Sequence, residues 1–212
     1  MGGLDSILNK LEKIEQKNCR TVIFYENIYP AIALLKKLIA GRESAHILLF
    51  SNNTMRQLRM VSEYLNLDLS GNEIILVNRD GYGEGVSRVY SYDDTERLLD
   101  YIETLEGTLI IVCRSHLKII SEDHPRLIFD ILERAGDRVR VYALTNFGSY
   151  TDIERSIISS LFDVAIVMKK QDEYFSFGEE IYEFHIVQSI IPEIQPGMEY
   201  FKVDIGMEMI SR

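Results

Sequence analysis

The sequence predicts an α/β protein: a three-layer α/β/α sandwich on a mostly parallel sheet, with an antiparallel extension at its C-terminal end. Two observations carry this reading. Short continuous apolar runs recur along the 212 residues: VIF at 22–24, ILLF at 47–50, IILV at 74–77, LIIV at 109–112, VYAL at 141–144 and VAIV at 164–167. They have strand length, are rich in β-branched residues and do not alternate with polar ones, as expected of strands buried on both faces of a parallel sheet. Helical patterns lie between them, so the connections are right-handed crossovers that cover the sheet.

Each helix carries its own signals. Pro30 to Ala40 begins with a proline in the first turn and stops at Gly41. Thr54 to Leu65 has Thr54 as N-cap candidate and Leu58, Val61 and Leu65 at helical spacing. Asp93 with Glu96 reads as a capping box opening a helix towards Thr104. Pro125 to Ala135 ends at Gly136, and Thr151 to Leu161 carries Ile153, Ile157, Ile158 and Leu161 on one side. Beyond Lys170 the pattern changes: Ile181 to Gln188 and Tyr200 to Ile205 read as strands joined through Pro192 and Pro196-Gly197, with no helix between. One domain is expected over 1–212, with 1–20 a helical lead-in and 171–212 the strand extension.

Composition narrows the function classes. A chain with 46% hydrophobic and 26% charged residues is ordinary for a globular protein. Its apolar runs are short, and the longest is broken by Lys36-Lys37, so no membrane span is expected. The N-terminus lacks the basic start and apolar stretch of a signal peptide, and Cys19 and Cys113 lie far apart without CxxC spacing. Both features suit the cytoplasm. A net charge of −10 repels phosphate backbones, which disfavours nucleic acid as a default partner.

Thr21 to Gly41 reads as strand, turn and helix, the arrangement that encloses a phosphate loop in many nucleotide-binding proteins. GGLDSIL at 2–8, HILLFSNNTMRQL at 46–58, TLIIVCRS at 108–115 and two later segments, in order and over nearly the whole chain, together resemble the KaiC and RadA branch of the RecA-like ATPases. GGLDSIL (Gly2 to Leu8) resembles the GLDxLL opening of that branch. HILLFSNNTMRQL (His46 to Leu58) resembles its second core strand and following helix. TLIIVCRS (Thr108 to Ser115) sits where the Walker B strand would be. ISSLFDVAIVMKK (Ile158 to Lys170) and PEIQPGMEYFKVDIGMEMI resemble a later strand and the closing strands. The chain also resembles a small archaeal family of RecA-like proteins without the phosphate loop.

The resemblance implies an ATP site, and the chemical positions depart from it. A Walker A loop uses glycines to let backbone N–H groups wrap the phosphates, a lysine to reach them and a hydroxyl for magnesium. Here the positions hold Glu26, Asn27, Ile28, Tyr29, Pro30 and Ala31. Pro30 removes a donor, Glu26 adds the wrong charge, and Lys36 and Lys37 lie about two turns away at ~1.5 Å per residue. Cys113 stands where the Walker B aspartate would end its strand, and Asn52 and Asn53 align with the paired glutamates. Asparagine orients a water but does not take its proton.

Other clusters have blander readings. Gly81-Tyr-Gly-Glu-Gly85 does not feed directly into a helix and carries Glu84, so a flexible loop is favoured over a phosphate cradle. The long connection Arg79 to Tyr92 displays Tyr82, Tyr90 and Tyr92 as candidate partner contacts, against packing over the sheet. Ser121-Glu122-Asp123-His124 with His116 fits no zinc spacing, Ser115-His116 is no dyad by adjacency, and His185 reads as structural. Two loops align with strand-contacting loops of DNA-binding relatives. One holds Arg114, His116, Lys118 and Arg126, offset by Glu122 and Asp123; the other holds Asn146, Phe147, Tyr150 and Arg155, with Asp152 and Glu154.

The expectation is a RecA-like protein without catalysis, metal or cofactor, binding a protein or peptide, a second copy of itself included, with Tyr82, Tyr90, Tyr92, Phe147 and Tyr150 as contact candidates. The alternatives are a nucleotide sensor or ATPase with an unconventional site, and a nucleic-acid-binding recombinase paralogue.

Overall fold

The computed structural model describes residues 3–39, 45–65, 67–113, 124–171 and 180–211. Its elements run α1 (Gly3–Gln16), β1 (Thr21–Tyr25), α2 (Ile28–Ile39), β2 (His46–Leu49), α3 (Asn52–Leu65) and β3 (Glu73–Asn78). There follow β4 (Arg88–Ser91), α4 (Thr95–Glu103), β5 (Gly107–Cys113), α5 (His124–Ala135) and β6 (Val139–Asn146). The last are α6 (Asp152–Ser160), β7 (Val164–Lys170), β8 (Ile181–Ser189), β9 (Gly197–Val203) and β10 (Met209–Ile210). Among the described residues no helix is long and apolar enough to cross a membrane. The chain divides into two compact units, one of Met1–Ala40 with Thr145–Arg212, the other Gly41–Leu144.

In the first unit the strands lie in the order β10-β9-β8-β7-β1. β1 runs parallel to β7, from Thr21 beside Val164 to Tyr25 beside Met168, and is buried along its whole length. From β7 outward every pairing is antiparallel, as expected for the chain beyond Lys170. β10 was not anticipated: two residues carry no periodicity. At Ala165/Ile166 a bulge puts Val187 into β8 as an extra residue. The Gln188 amide beyond it donates to Ser159 O and Phe162 O, carbonyls at the C-terminal end of α6.

Helix α1 buries Ile7, Leu11 and Ile14, one stripe at helical spacing. It ends at Asn18, whose φ of 53° lets the Cys19 N–H reach back to Ile14 O at 3.2 Å. Its other end lies tight against β9. A Cβ on Gly3 would stand 2.3 Å from the Tyr200 carbonyl oxygen. Ser6 Oγ (2.7 Å) and Lys10 Nζ (3.2 Å) both donate to Glu199 Oε1. Burial works against the charged form of Glu199, but these bonds and the Lys10 charge outweigh it and hold the carboxyl below the usual range.

In the second unit the order is β6-β5-β2-β3-β4. β2 is parallel to β3 and to β5, and β3 is parallel to β4. The expected strands and helices are all present here, with three corrections. Thr54 lies inside α3, and Ser51 Oγ is the cap, accepting from Thr54 N at 3.0 Å. The Asp93–Glu96 capping box does not form: α4 starts at Thr95 with Asp94 as N-cap, and Asp94 is instead paired with Arg97 at 2.7 Å. Residues 79–92 are not one loop, because β4 occupies Arg88–Ser91. The parallel pair β3–β4 is joined through 79–87 without a helix, shorter than the dozen or so residues such a crossover ordinarily takes. Positive φ at Gly81 (60°) and Gly85 (62°) permits the sharp path.

A fourth correction concerns α6. Thr151 and Glu154 form its capping box, yet of the isoleucine stripe only Ile158 is buried; Ile153 and Ile157 are 74% and 46% exposed.

Two outcomes follow from the α1–β9 contact. Gly3→Ala should lose roughly 1–3 kcal/mol of stability in chemical denaturation, because backbone rather than a side-chain tip has to move. The lowered Glu199 carboxyl contributes fully above the ordinary glutamate value of about 4.3 and loses that contribution as pH falls through and below it. Denaturation midpoints between pH 7 and pH 3 should therefore fall less steeply for Glu199→Gln than for the unaltered chain.

Candidate functional site

The β1–α2 junction is short. Strand β1 ends at Tyr25 and α2 begins at Ile28, leaving Glu26 and Asn27 between them. The Glu26 N–H donates to Met168 O at 3.0 Å, continuing the β1–β7 ladder, and its side chain is exposed. Asn27 Oδ1 accepts from Tyr29 N at 3.0 Å, so this side chain caps the helix. Of the first helical residues Tyr29 has its N–H taken and Pro30 has none. Ile28 is half-buried, Tyr29 is 46% exposed, and Pro30 and Ala31 are buried in the core. Lys36 is committed elsewhere, paired with Glu208 at 2.5 Å and donating to Gly206 O at 3.0 Å.

Near this junction Glu180 accepts from Lys170 Nζ at 2.6 Å and from the Tyr182 hydroxyl. Burial, then the bond to Glu180, pushes the Tyr182 hydroxyl above the ordinary phenol range, with the Tyr29 hydroxyl adding to the shift. After β6, Phe147 is half-buried and Tyr150 is buried. The Arg155 guanidinium lies 3.9 Å and Lys169 Nζ 4.0 Å from the Phe147 ring centroid. Arg155 also donates to Phe147 O, Tyr150 O and Asp152. The arginine that could have stacked a base thus holds its own loop.

In the second unit Asn52 opens α3 and its Oδ1 accepts from Asn78 Nδ2 at 2.8 Å; Asn53 is exposed. Asn78 ends β3, is buried, and also donates to Tyr82 O at 2.6 Å. Its Oδ1 is buried with no hydrogen-bond partner among the described residues. Sequence reading passed over Asn78, although one polar residue closing the run IILV was the available signal. Cys113 ends β5, and burial pushes its thiol well up, so it offers neither a charge nor a hard oxygen ligand. Tyr90 is buried and stacks on Tyr101; Tyr92 is half-buried and donates to Phe50 O at 3.1 Å. Of the three candidate tyrosines between 79 and 92 Tyr82 alone is open, at 66% exposure, with its hydroxyl on Glu84. Arg114, Ser115, His116, Lys118 and Ser121 to Asp123 lie outside the described residues, as does the His124 side chain.

No family model and no curated protein matches the sequence. Solved structures do match. A KaiC-like protein of the archaeon Pyrococcus horikoshii superposes with a TM-score of 0.63 at 13% identity, covering 92% of this chain and 90% of its own. A second protein of that organism gives 0.60 at 10% identity, over 88% of this chain and 94% of its own. The flagellar accessory protein FlaH of Methanocaldococcus jannaschii gives 0.61 at 12% identity, over 92% and 90%. The chain therefore has the three-layer RecA-like fold of KaiC-like proteins, as its segments suggested. At these identities the likeness is one of fold.

Replacing Asn78 with alanine strips a donor from both Asn52 and the Tyr82 carbonyl. Denaturation should show a loss of roughly 1–3 kcal/mol, and hydrogen exchange should quicken across 79–87. Asn52→Ala, at an exposed site, should lose less.

Proposed function

We propose that this chain is a non-catalytic, cytoplasmic RecA-like protein that binds a protein or peptide and has given up ATP binding and hydrolysis. The observation that carries the reading is the β1–α2 junction: two residues, no glycine, one helix donor capped by Asn27 and another removed by Pro30. A phosphate cradle needs several free N–H groups converging on the anion. Asn52 and Cys113 support it, since neither supplies the carboxylate that phosphoryl transfer draws on. Tyr82, and the exposed Met198 and Ile205 of the C-terminal strand region, offer contact surface. One structural neighbour is named as an accessory protein, which is compatible with work done through partners.

A nucleotide sensor would need donors from 79–92 or 145–156, and the arginine of the second segment is already engaged by its own loop. Nucleic acid meets a chain of net charge −10.

The test is a calorimetric titration of the full chain with Mg-ATP and Mg-GTP. No heat and no thermal stabilisation at millimolar nucleotide is expected. Binding tighter than roughly 100 μM, about −5.5 kcal/mol, would overturn the proposal in favour of the sensor.

A further inference from the structure

Another cluster of titratable groups lies where strands of the second unit begin, at the end remote from Asn52, Asn78 and Cys113. His46 is the first residue of β2 and pairs in register with Glu73, the first of β3, and on its other side with Leu109 of β5. Three donors converge on the Glu73 carboxylate: His46 Nδ1 at 2.7 Å, Tyr101 of α4 through its hydroxyl at 2.5 Å, and Arg88 of β4 through Nε at 3.0 Å. The Arg88 guanidinium also lies 4.0 Å over the Tyr101 ring. The second nitrogen of His46, Nε2, stands 3.1 Å from the backbone carbonyl oxygen of Glu106, just before β5.

Both His46 partners are acceptors. A carboxylate and a carbonyl each need an N–H pointed at them, and a neutral imidazole carries only one. The imidazolium alone satisfies both. We propose that His46 is doubly protonated and acts as a proton-dependent clip, joining the start of β3 to the start of β5 across β2. The loss of one proton turns a nitrogen lone pair towards either the Glu73 carboxylate or the Glu106 carbonyl, and that link breaks.

The groups facing His46 decide what remains. His46 meets Glu73 of β3 and the Glu106 carbonyl before β5, while Arg88 of β4 and Tyr101 of α4 reach the same Glu73 carboxylate. Arg88 and Tyr101 keep their own bonds to Glu73 when the imidazole is neutral. Burial disfavours the charged form of Glu73, but the bonds from Tyr101, His46 and Arg88 outweigh it, so the carboxyl sits below its usual range. Glu73 is thus the anion throughout the pH range in which a histidine changes charge, between 5 and 8. The clip is independent of whether the chain binds nucleotide or a protein partner.

The experiment uses the full chain. Nitrogen–proton spectra of the His46 ring, assigned through its backbone, are recorded from pH 5.5 to 8.5. Thermal midpoints of the unaltered chain and of His46→Gln are measured over the same range. Protons on both ring nitrogens are expected at pH 5.5, with a midpoint gap of about 3 °C that closes by more than half at pH 8.5. The other three histidines are present in both proteins, so the gap isolates His46. A ring with a single N–H at pH 5.5, or a gap constant with pH, overturns the proposal. Should His46→Gln fail to fold, the ring spectrum decides alone.

Discussion

Burial of strands on both faces is the constraint from which most of this architecture follows. β1 is buried along its whole length, and β3 is buried from Ile74 to Asn78. Taking a branched aliphatic side chain fully out of water is worth about 1.5–3 kcal/mol, so such strands are stable only under helices on both sides. Polar chemistry is then pushed to the strand ends, where each backbone run leaves the sheet. Glu26, Asn78, Cys113 and Thr145 all stand at or next to such ends. So do the polar groups at the strand starts, His46, Glu73 and Arg88.

At the positions where the RecA-like pattern would place phosphate and metal chemistry, side chains make local structural bonds. Asn27 caps a helix, Asn52 receives the amide of Asn78, and Lys36 holds the segment leading into β10. The same holds for the loop after β6, where Arg155 fastens the backbone that carries Phe147. Such bonds contribute about 0.5–1.5 kcal/mol each between neutral groups and about 1.5–3 where a charge is involved, so each is a measurable part of the local stability.

The fold was legible because its signal is redundant: six apolar runs of strand length, with helical periodicity between them, state the same thing repeatedly. Elements without that redundancy were not legible. β4 is four residues, RVYS, with mixed burial, and it pairs in parallel with no helix before it, so nothing in the local pattern announced a strand. Ile153 and Ile157 follow helical spacing faithfully, but spacing does not say which face of a helix meets the sheet. Tyr90 and Tyr92 look alike in sequence to Tyr82. One is held by a ring and another by the Phe50 carbonyl, both reached through the fold and invisible along the chain. The departures at Glu26 to Ala31 were readable as residue types, whereas the bond from Asn27 to Tyr29 and the pairing of Asn52 with Asn78 needed coordinates.

The two-residue passage from β1 to α2 also bears on how sequence change acts on this protein. A phosphate-wrapping loop of the G-x-x-x-x-G kind spans about six residues, and no exchange of side chains lengthens Glu26-Asn27 to that reach. Substitution explores what the junction touches; only insertion alters how far it extends, and an inserted loop must also release the cap that starts the helix. In mutational terms the two junction types are not neighbours.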